Sequence, residues 1–265
     1  MKKLSLALLI IFTGLFCGCT PENSSDFSQE GTLYSGSIEG FSQKGPLLTG
    51  ASVTVQELEG AQLLQTGKSF KGKIINDKGE FLVDNVDLDY PYVLLEANGY
   101  FRNEVTGKKS NGSIIMRAIA DVADRSQVNI NLLTHLEYER VQVLMKQEGM
   151  SIADAKRQAD REILSAFFEL KDYEVAEDLD IFGNREGDAA LLAINILLLA
   201  NNSEGDFMER FALLDQDLAD DGVWDDSLLK AKIADDACKV DLMIGFSRIR
   251  KNMENWKIAE NIAPF

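Results

Sequence analysis

A β-then-α chain of two domains is what this sequence predicts: an N-terminal antiparallel β-sandwich over residues 31–118, followed by an all-α helical bundle over 128–265. Three observations carry it. Residues 31–118 are rich in glycine and hold short alternating apolar runs broken by frequent turn signals, the pattern of an antiparallel sandwich. From Asn129 the apolar period changes from two to about 3.6, and no strand pattern follows. The charge changes at the same join, with 10 acids against 9 bases over 31–118 but 30 against 16 over 119–265. Each half is expected to carry its own core and to fold alone.

Ahead of both lies a segment of another kind. Met1-Lys2-Lys3 is a short basic start, and residues 4–16 form an apolar stretch of 13. A spanning helix needs roughly 18 to 20 apolar residues, so this stretch reads as the core of a secretion signal over residues 1–18, removed on export. Residues 20–30, TPENSSDFSQE, are polar and are expected to form, from residue 19 onward, a disordered tether.

Within 31–118, Val53 and Val55 alternate in ASVTVQ, so they face one side of a sheet. Phe70 and Ile74 repeat the spacing around Gly72. Asn76-Asp77-Lys78-Gly79 marks a tight turn with Gly79 at positive φ, after which Phe81 and Val83 return on one face, making a hairpin. Tyr92 to Ala97 is nearly continuous in apolar character, as for a central strand, and Asn98-Gly99 turns it. Gly60 to Lys73 reads as a long insertion. Tyr90, Tyr92, Tyr100 and Phe101 are the candidate ligand-binding residues, because an aromatic face packs well on a sugar ring.

In the second half the first helix is expected over 130–146, ended by Gly149. The next has Ser151 as N-cap and turns Ala155, Ala159, Ile163 and Phe167 inward. AALLAINILLLA, residues 189–200, is apolar nearly all round and too short to span a bilayer, so it is expected at the centre of the bundle. Two acidic amphipathic helices are expected over 206–220 and 226–257. The chain ends on Ala263-Pro264-Phe265 with no helix stop, which leads us to expect a further C-terminal segment.

The sequence speaks against catalysis. It has a single histidine, His135, so catalytic triads and multi-histidine metal sites are unavailable, and His135 itself is expected as a packing or surface residue. A glycosidase needs two carboxyls in a cleft lined with aromatics, and only Trp224 and Trp256 are tryptophans. No phosphate-binding glycine loop is present. The run from Asp215 to Asp226 places Asp215, Asp217, Asp220, Asp221, Asp225 and Asp226 around Gly222, a weak calcium candidate whose spacing departs from an EF-hand loop. The alternative is that Gly222 ends one helix and Asp225 or Asp226 caps the next. A formal charge of −16 repels nucleic acid phosphates, so nucleic acid is not an expected partner, and no cofactor is expected.

Three resemblances add to this. Phe16-Cys17-Gly18-Cys19 resembles the lipobox of bacterial lipoproteins, with the small Gly18 before the cysteine that receives lipid. Cys17 would follow the bulky Phe16, so Cys19 is the expected lipidation site, which leaves Cys238 alone and no internal disulfide. Thr20, where enteric lipoproteins kept at the inner membrane carry Asp, implies the outer membrane. Gly45-Pro46-Leu47, Gly50 to Val55, the Asn76 to Phe81 turn and Gly99-Tyr100 resemble the carboxypeptidase-regulatory-like, or transthyretin-like, β-sandwich module, which implies a spacer or binding surface without catalytic residues. Val128 to Glu137, VNINLLTHLE, resembles the start of the helical region after such sandwiches, and the whole order is similar to surface lipoproteins of fibre-degrading anaerobic bacteria. The resemblances imply a lipid-anchored, surface-exposed adhesion or scaffold protein whose partner is a polysaccharide or another surface protein. A glycoside hydrolase accessory subunit and a purely structural envelope protein are the alternatives.

Overall fold

A computed structural model describes residues 33–168, 174–199, 202–239 and 242–256, apart from the side chains of 61, 242–244 and 246. The signal segment, Cys19, the tether and the C-terminal tripeptide lie outside these residues. The strands are β1 (Tyr34–Gln43), β2 (Ser52–Glu59), β3 (Leu64–Ile74), β4 (Glu80–Leu88), β5 (Tyr92–Gly99), β6 (Ile114–Asp121) and β7 (Ile130–Asn131). The helices are α1 (Leu132–Glu148), α2 (Ile152–Phe167), α3 (Glu186–Leu199), α4 (Glu204–Asp221), α5 (Ser227–Lys239) and α6 (Leu242–Trp256).

All seven strands belong to one mixed sheet in the order β6-β5-β2-β3-β4-β1-β7, antiparallel throughout except for the parallel β1–β7 pair. The sheet curls until it is nearly a barrel. This corrects the expected sandwich, which needs two facing sheets. The alternating residues behave as expected, for Val53, Val55, Phe81, Val83, Val93 and Leu95 all point into one buried interior. Alternation tells which face a residue takes and not which strand lies beside it, so one curled sheet and two flat ones read alike in sequence.

Local signals explain several elements. Gly79 sits at φ 82 in the β3–β4 turn, where its N–H reaches the Asn76 carbonyl at 3.2 Å. The stretch read as an insertion is β3, which follows a short 3-10 turn over Gly60–Gln62. β5 is central between β6 and β2, with Leu95 facing the interior and Leu94 a second apolar cluster under α1 and α2. Gly149 closes α1 at φ 69, Ser151 Oγ accepts from Asp154 N at 3.2 Å, and α3 lies buried among the other helices. The expected helix over 226–257 is two helices, α5 and α6. Among the described residues no helix is long and apolar enough to cross a membrane.

The join between sheet and helices is polar and fully used. Asn129 Oδ1 accepts from Phe41 N at 2.9 Å, and its Nδ2 donates to Leu179 O at 3.0 Å. Asn131 caps α1, accepting from Leu133 N and Thr134 N at 3.0 Å each, while Thr134 Oγ1 accepts from Asn131 N. Gly40 lets β1 approach this segment, since a Cβ there would stand 2.0 Å from Val128 O. The free edge of β6 is plugged by helix side chains: Arg117 N donates to His135 Nδ1 at 3.2 Å, Arg117 O accepts from Thr134 Oγ1 at 2.9 Å, and Ile119 O accepts from Lys156 Nζ at 2.9 Å. One apolar cluster then runs from Ile38, Phe81 and Met116 of the sheet to Leu133, Leu191, Phe207 and Met253 of the helices. Among the described residues, sheet and helices therefore share this one apolar cluster.

Candidate functional site

After β5 the chain leaves the sheet in a loop, residues 100–113, that binds to both α4 and α6. Asn103 Oδ1 accepts from Val105 N and Thr106 N, shaping a turn within the loop. Its Nδ2 donates to Glu204 Oε1 at 3.1 Å, and Glu204 Oε2 accepts from Asn111 N at 2.6 Å and Gly112 N at 3.4 Å. Glu204 is the first residue of α4, placed there by the Ser203–Asp206 capping box. From the other side Asn252 of α6 donates to Glu104 O and Val105 O, and Trp256 Nε1 donates to Gly107 O.

Loop and helix enclose a cavity of about 420 Å³. Phe101, Phe207 and Met208 line it with apolar surface, while Asn111, Ser113, Ser203 and Glu204 supply polar groups. Behind this lining Lys44 is fully buried, its Nζ 2.9 Å from Glu104 Oε2 and 4.9 Å from the centre of the Phe207 ring. The Glu204 oxygens accept from N–H donors, and among the described residues no cation is bridged to them, so the polar rim is rich in acceptors. The volume and the mixed lining suit one small polar ligand with an apolar face.

A larger, open groove of about 780 Å³ runs between the 121–127 connection and Arg185. Its cations are engaged, Arg125 by Glu177 and Asp178 and Arg185 by Glu174 and Asp188.

The four aromatic candidates do not come together. Tyr90 and Tyr92 lie at the start of β5, and Tyr100 and Phe101 follow its end, about 25 Å away along the strand. Tyr90 donates to Glu59 Oε1 at 3.2 Å, Tyr92 packs on the apolar cluster beneath α1 and α2, and the Tyr100 ring is covered by Lys109 Nζ at 3.9 Å. Phe101 alone reaches the cavity, and it is 1 % exposed, part of the wall rather than a stacking platform. The acidic run is spread out as well. Gly222 ends α4 at φ 77, Asp226 Oδ1 caps α5 by accepting from Leu228 N and Leu229 N, and Asp217 Oδ2 accepts from Asp225 N at 2.9 Å and Asp226 N at 3.3 Å. Asp221 accepts from Val223 N, and Asp220 O, a main-chain atom, accepts from Arg140. Among the described residues no group of three or more His, Cys, Asp or Glu side chains is placed to hold a metal ion. Cys19 lies outside the described residues. Sequence reasoning missed Asn111, Ser113, Glu204, Phe207 and Met208. The capping-box spacing of Ser203 and Asp206 marks the start of α4, but nothing in the sequence brings it against residue 111.

Asp215 turns away from the other acids toward His135, with Oδ2 3.9 Å from Nε2. Burial, and then the Glu139 carboxylate, push Asp215 up to about 7, while burial and the Arg117 cation push His135 down to about 4. His135 is thus neutral and accepts the Arg117 N–H. The two groups oppose each other in stability. A raised carboxyl favours the folded state below its unfolded value of 3.8, an advantage lost as pH rises through about 7. A lowered imidazole favours it above 6.5, an advantage lost as pH falls toward about 4. Their slopes oppose between about 4 and 6.5, leaving Asp215 to act above 6.5. We predict that the melting temperature falls as pH rises from 6 to 8 and that Asp215→Asn flattens the fall in thermal melts. An equal fall in the variant would exclude Asp215 as a source.

No family model matches the chain, and neither a curated protein nor a solved structure matches it.

Proposed function

We propose that the chain is a lipid-anchored outer-membrane protein that holds its folded body at the cell surface and binds polysaccharide there without changing it. One observation carries the binding: the loop–α4 cavity joins an apolar floor to a rim of hydroxyl, amide and carboxylate groups. A pyranose presents the matching surfaces, an apolar ring face and a girdle of hydroxyls. Phe16-Cys17-Gly18-Cys19 supports the anchorage, and a single histidine already committed to a backbone N–H supports a role without chemistry.

The test is depletion of the detergent-solubilised full chain from solution by cellulose, xylan and pectin, with reducing sugar measured in the same samples. Depletion without sugar release is expected. Gly112→Phe places a ring at a position where an added Cβ meets open space, and it should weaken binding at least tenfold, about 1.4 kcal/mol. Sustained sugar release would make the protein an enzyme, and no depletion on any polymer would shift the reading to a protein partner or a structural envelope role.

The anchorage has its own test. Cys19→Ser removes the thiol that would carry the lipid, and each buried CH₂ of an acyl chain contributes about 0.8 kcal/mol to membrane attachment. The variant should take up no fatty-acid label and leave the membrane pellet. Full labelling and sedimentation would sink the lipobox reading.

A further inference from the structure

Behind the Phe101 and Phe207 rings, three buried polar residues from distant parts of the chain lie together in a dry interior. Lys44 follows β1, Glu104 belongs to the 100–113 loop and Asn195 lies within α3, and each is fully buried. Lys44 Nζ is 2.9 Å from Glu104 Oε2 and 3.5 Å from the main-chain oxygen of Asn195. That contact brings Nζ to a residue whose own side chain is buried with it. Neither Oδ1 nor Nδ2 of Asn195 has a hydrogen-bond partner, and Glu104 Oε1 has none either. A buried amide is ordinarily satisfied, and here an amine, a carboxyl and an idle amide share one apolar site. Phe101 and Phe207, 5.4 and 4.9 Å from Nζ, keep water out.

We propose that Lys44 and Asn195 join in an intramolecular isopeptide bond, with Glu104 as the proton carrier. The Lys44 ammonium passes a proton to Glu104, leaving a neutral amine beside a neutral acid. Burial favours this, since it raises the Glu104 carboxyl more than Lys44 lowers it. Nζ then attacks Cγ of Asn195, and Glu104 donates to the amide as negative charge develops on its oxygen. The Nζ–Cγ bond forms, the Cγ–Nδ2 bond breaks, and Nδ2 leaves as ammonia with a proton returned through Glu104. A primary amide and an amine become a secondary amide and ammonia. Nothing is oxidised or reduced, and the carboxyl ends as it began.

The link would close a loop of about 150 residues and fasten β1 to α3, across the boundary between sheet and helices, in a chain whose Cys238 is free. A crosslink of this kind suits a protein that is pulled upon at a surface.

The full chain, extracted from membranes, is digested with a protease that cleaves after glutamate and the fragments are weighed. The expected result is a branched species in which residues 40–57 and 187–204 are joined, lighter than the two together by one ammonia. Loss of ammonia confined to the 187–204 fragment would be ordinary asparagine cyclisation and would overturn the proposal, as would two separate fragments of full mass from folded protein held at neutral pH. Glu104→Gln should give two unlinked fragments, and Lys44→Arg likewise. Because both changes touch a buried pair, their folding is checked by thermal melts, and the wild-type fragments decide the question without them.

Discussion

Residues 31–118 produced alone should show no cooperative unfolding transition and a largely disordered far-ultraviolet spectrum. The piece keeps β1 to β5 but loses the last three residues of β6, the β7 strand that pairs with β1 and every side chain that plugs the β6 edge. It also uncovers one side of a continuous apolar cluster. Ile38, Leu47, Phe101, Ile114 and Met116 are all buried in that cluster, which reaches Leu133, Leu191 and Phe207. Re-exposing one such side chain costs about 1.5–3 kcal/mol, against a total domain stability of roughly 5–15 kcal/mol, so the loss of a handful exceeds what holds the piece together. A sigmoidal denaturant curve with a β-type baseline would show instead that the sheet stands by itself. Adding residues 128–265 as a separate chain should restore part of the transition, because the missing surface is then supplied from outside.

The second large effect is expected from Lys156→Met. Lys156 Nζ reaches Glu137 Oε2 at 3.3 Å, Glu177 Oε2 at 3.0 Å and Ile119 O at 2.9 Å, all in the interior between α1, α2 and β6. Asp160 completes the cluster, its Oδ1 accepting from Ala176 N at 3.1 Å. Burial alone would pull the lysine down, but Glu177, Glu137 and Asp160 together hold it above its ordinary value. Burial raises Glu137, and the neighbouring Asp160 raises it further. Methionine fills a similar volume without the charge, so the variant leaves buried carboxylates unpaired, a loss of about 3–5 kcal/mol. The denaturation midpoint should drop accordingly at pH 7 and recover partly near pH 5, as the stranded carboxyls take up protons. A change below about 1 kcal/mol at pH 7 would mean that the cluster is already neutral without the lysine.

Much of the local structure was legible in the residues. The cap at Ser151, the glycines closing α1 and α4, the Asn76–Gly79 turn and the buried α3 all follow from rules acting over a few residues, where side chain and backbone can meet only one way. β6 went unread because exposed Ile115 is as apolar as its buried neighbours Ile114 and Met116, so the alternation in burial leaves no alternation in sequence. The sandwich was an error of neighbours and not of periods. Tyr90 and Tyr100, ten positions apart in sequence, were grouped as one platform, and an extended strand holds them at its two ends.

By itself, then, the sequence determined the order of strands before helices, the Asn76–Gly79 turn, the Ser151 cap and the glycines that close α1 and α4. Each depends on composition or on contacts a few residues apart. Tertiary structure alone decided that the sheet curls nearly into a barrel, that sheet and helices share one core, that Glu204 meets residue 111 and that Lys44, Glu104 and Asn195 meet at all. Those pairings span 60 to 151 positions of chain. They are set by which apolar surfaces cover one another in three dimensions, and a one-dimensional pattern of burial records that a face is covered without recording by what.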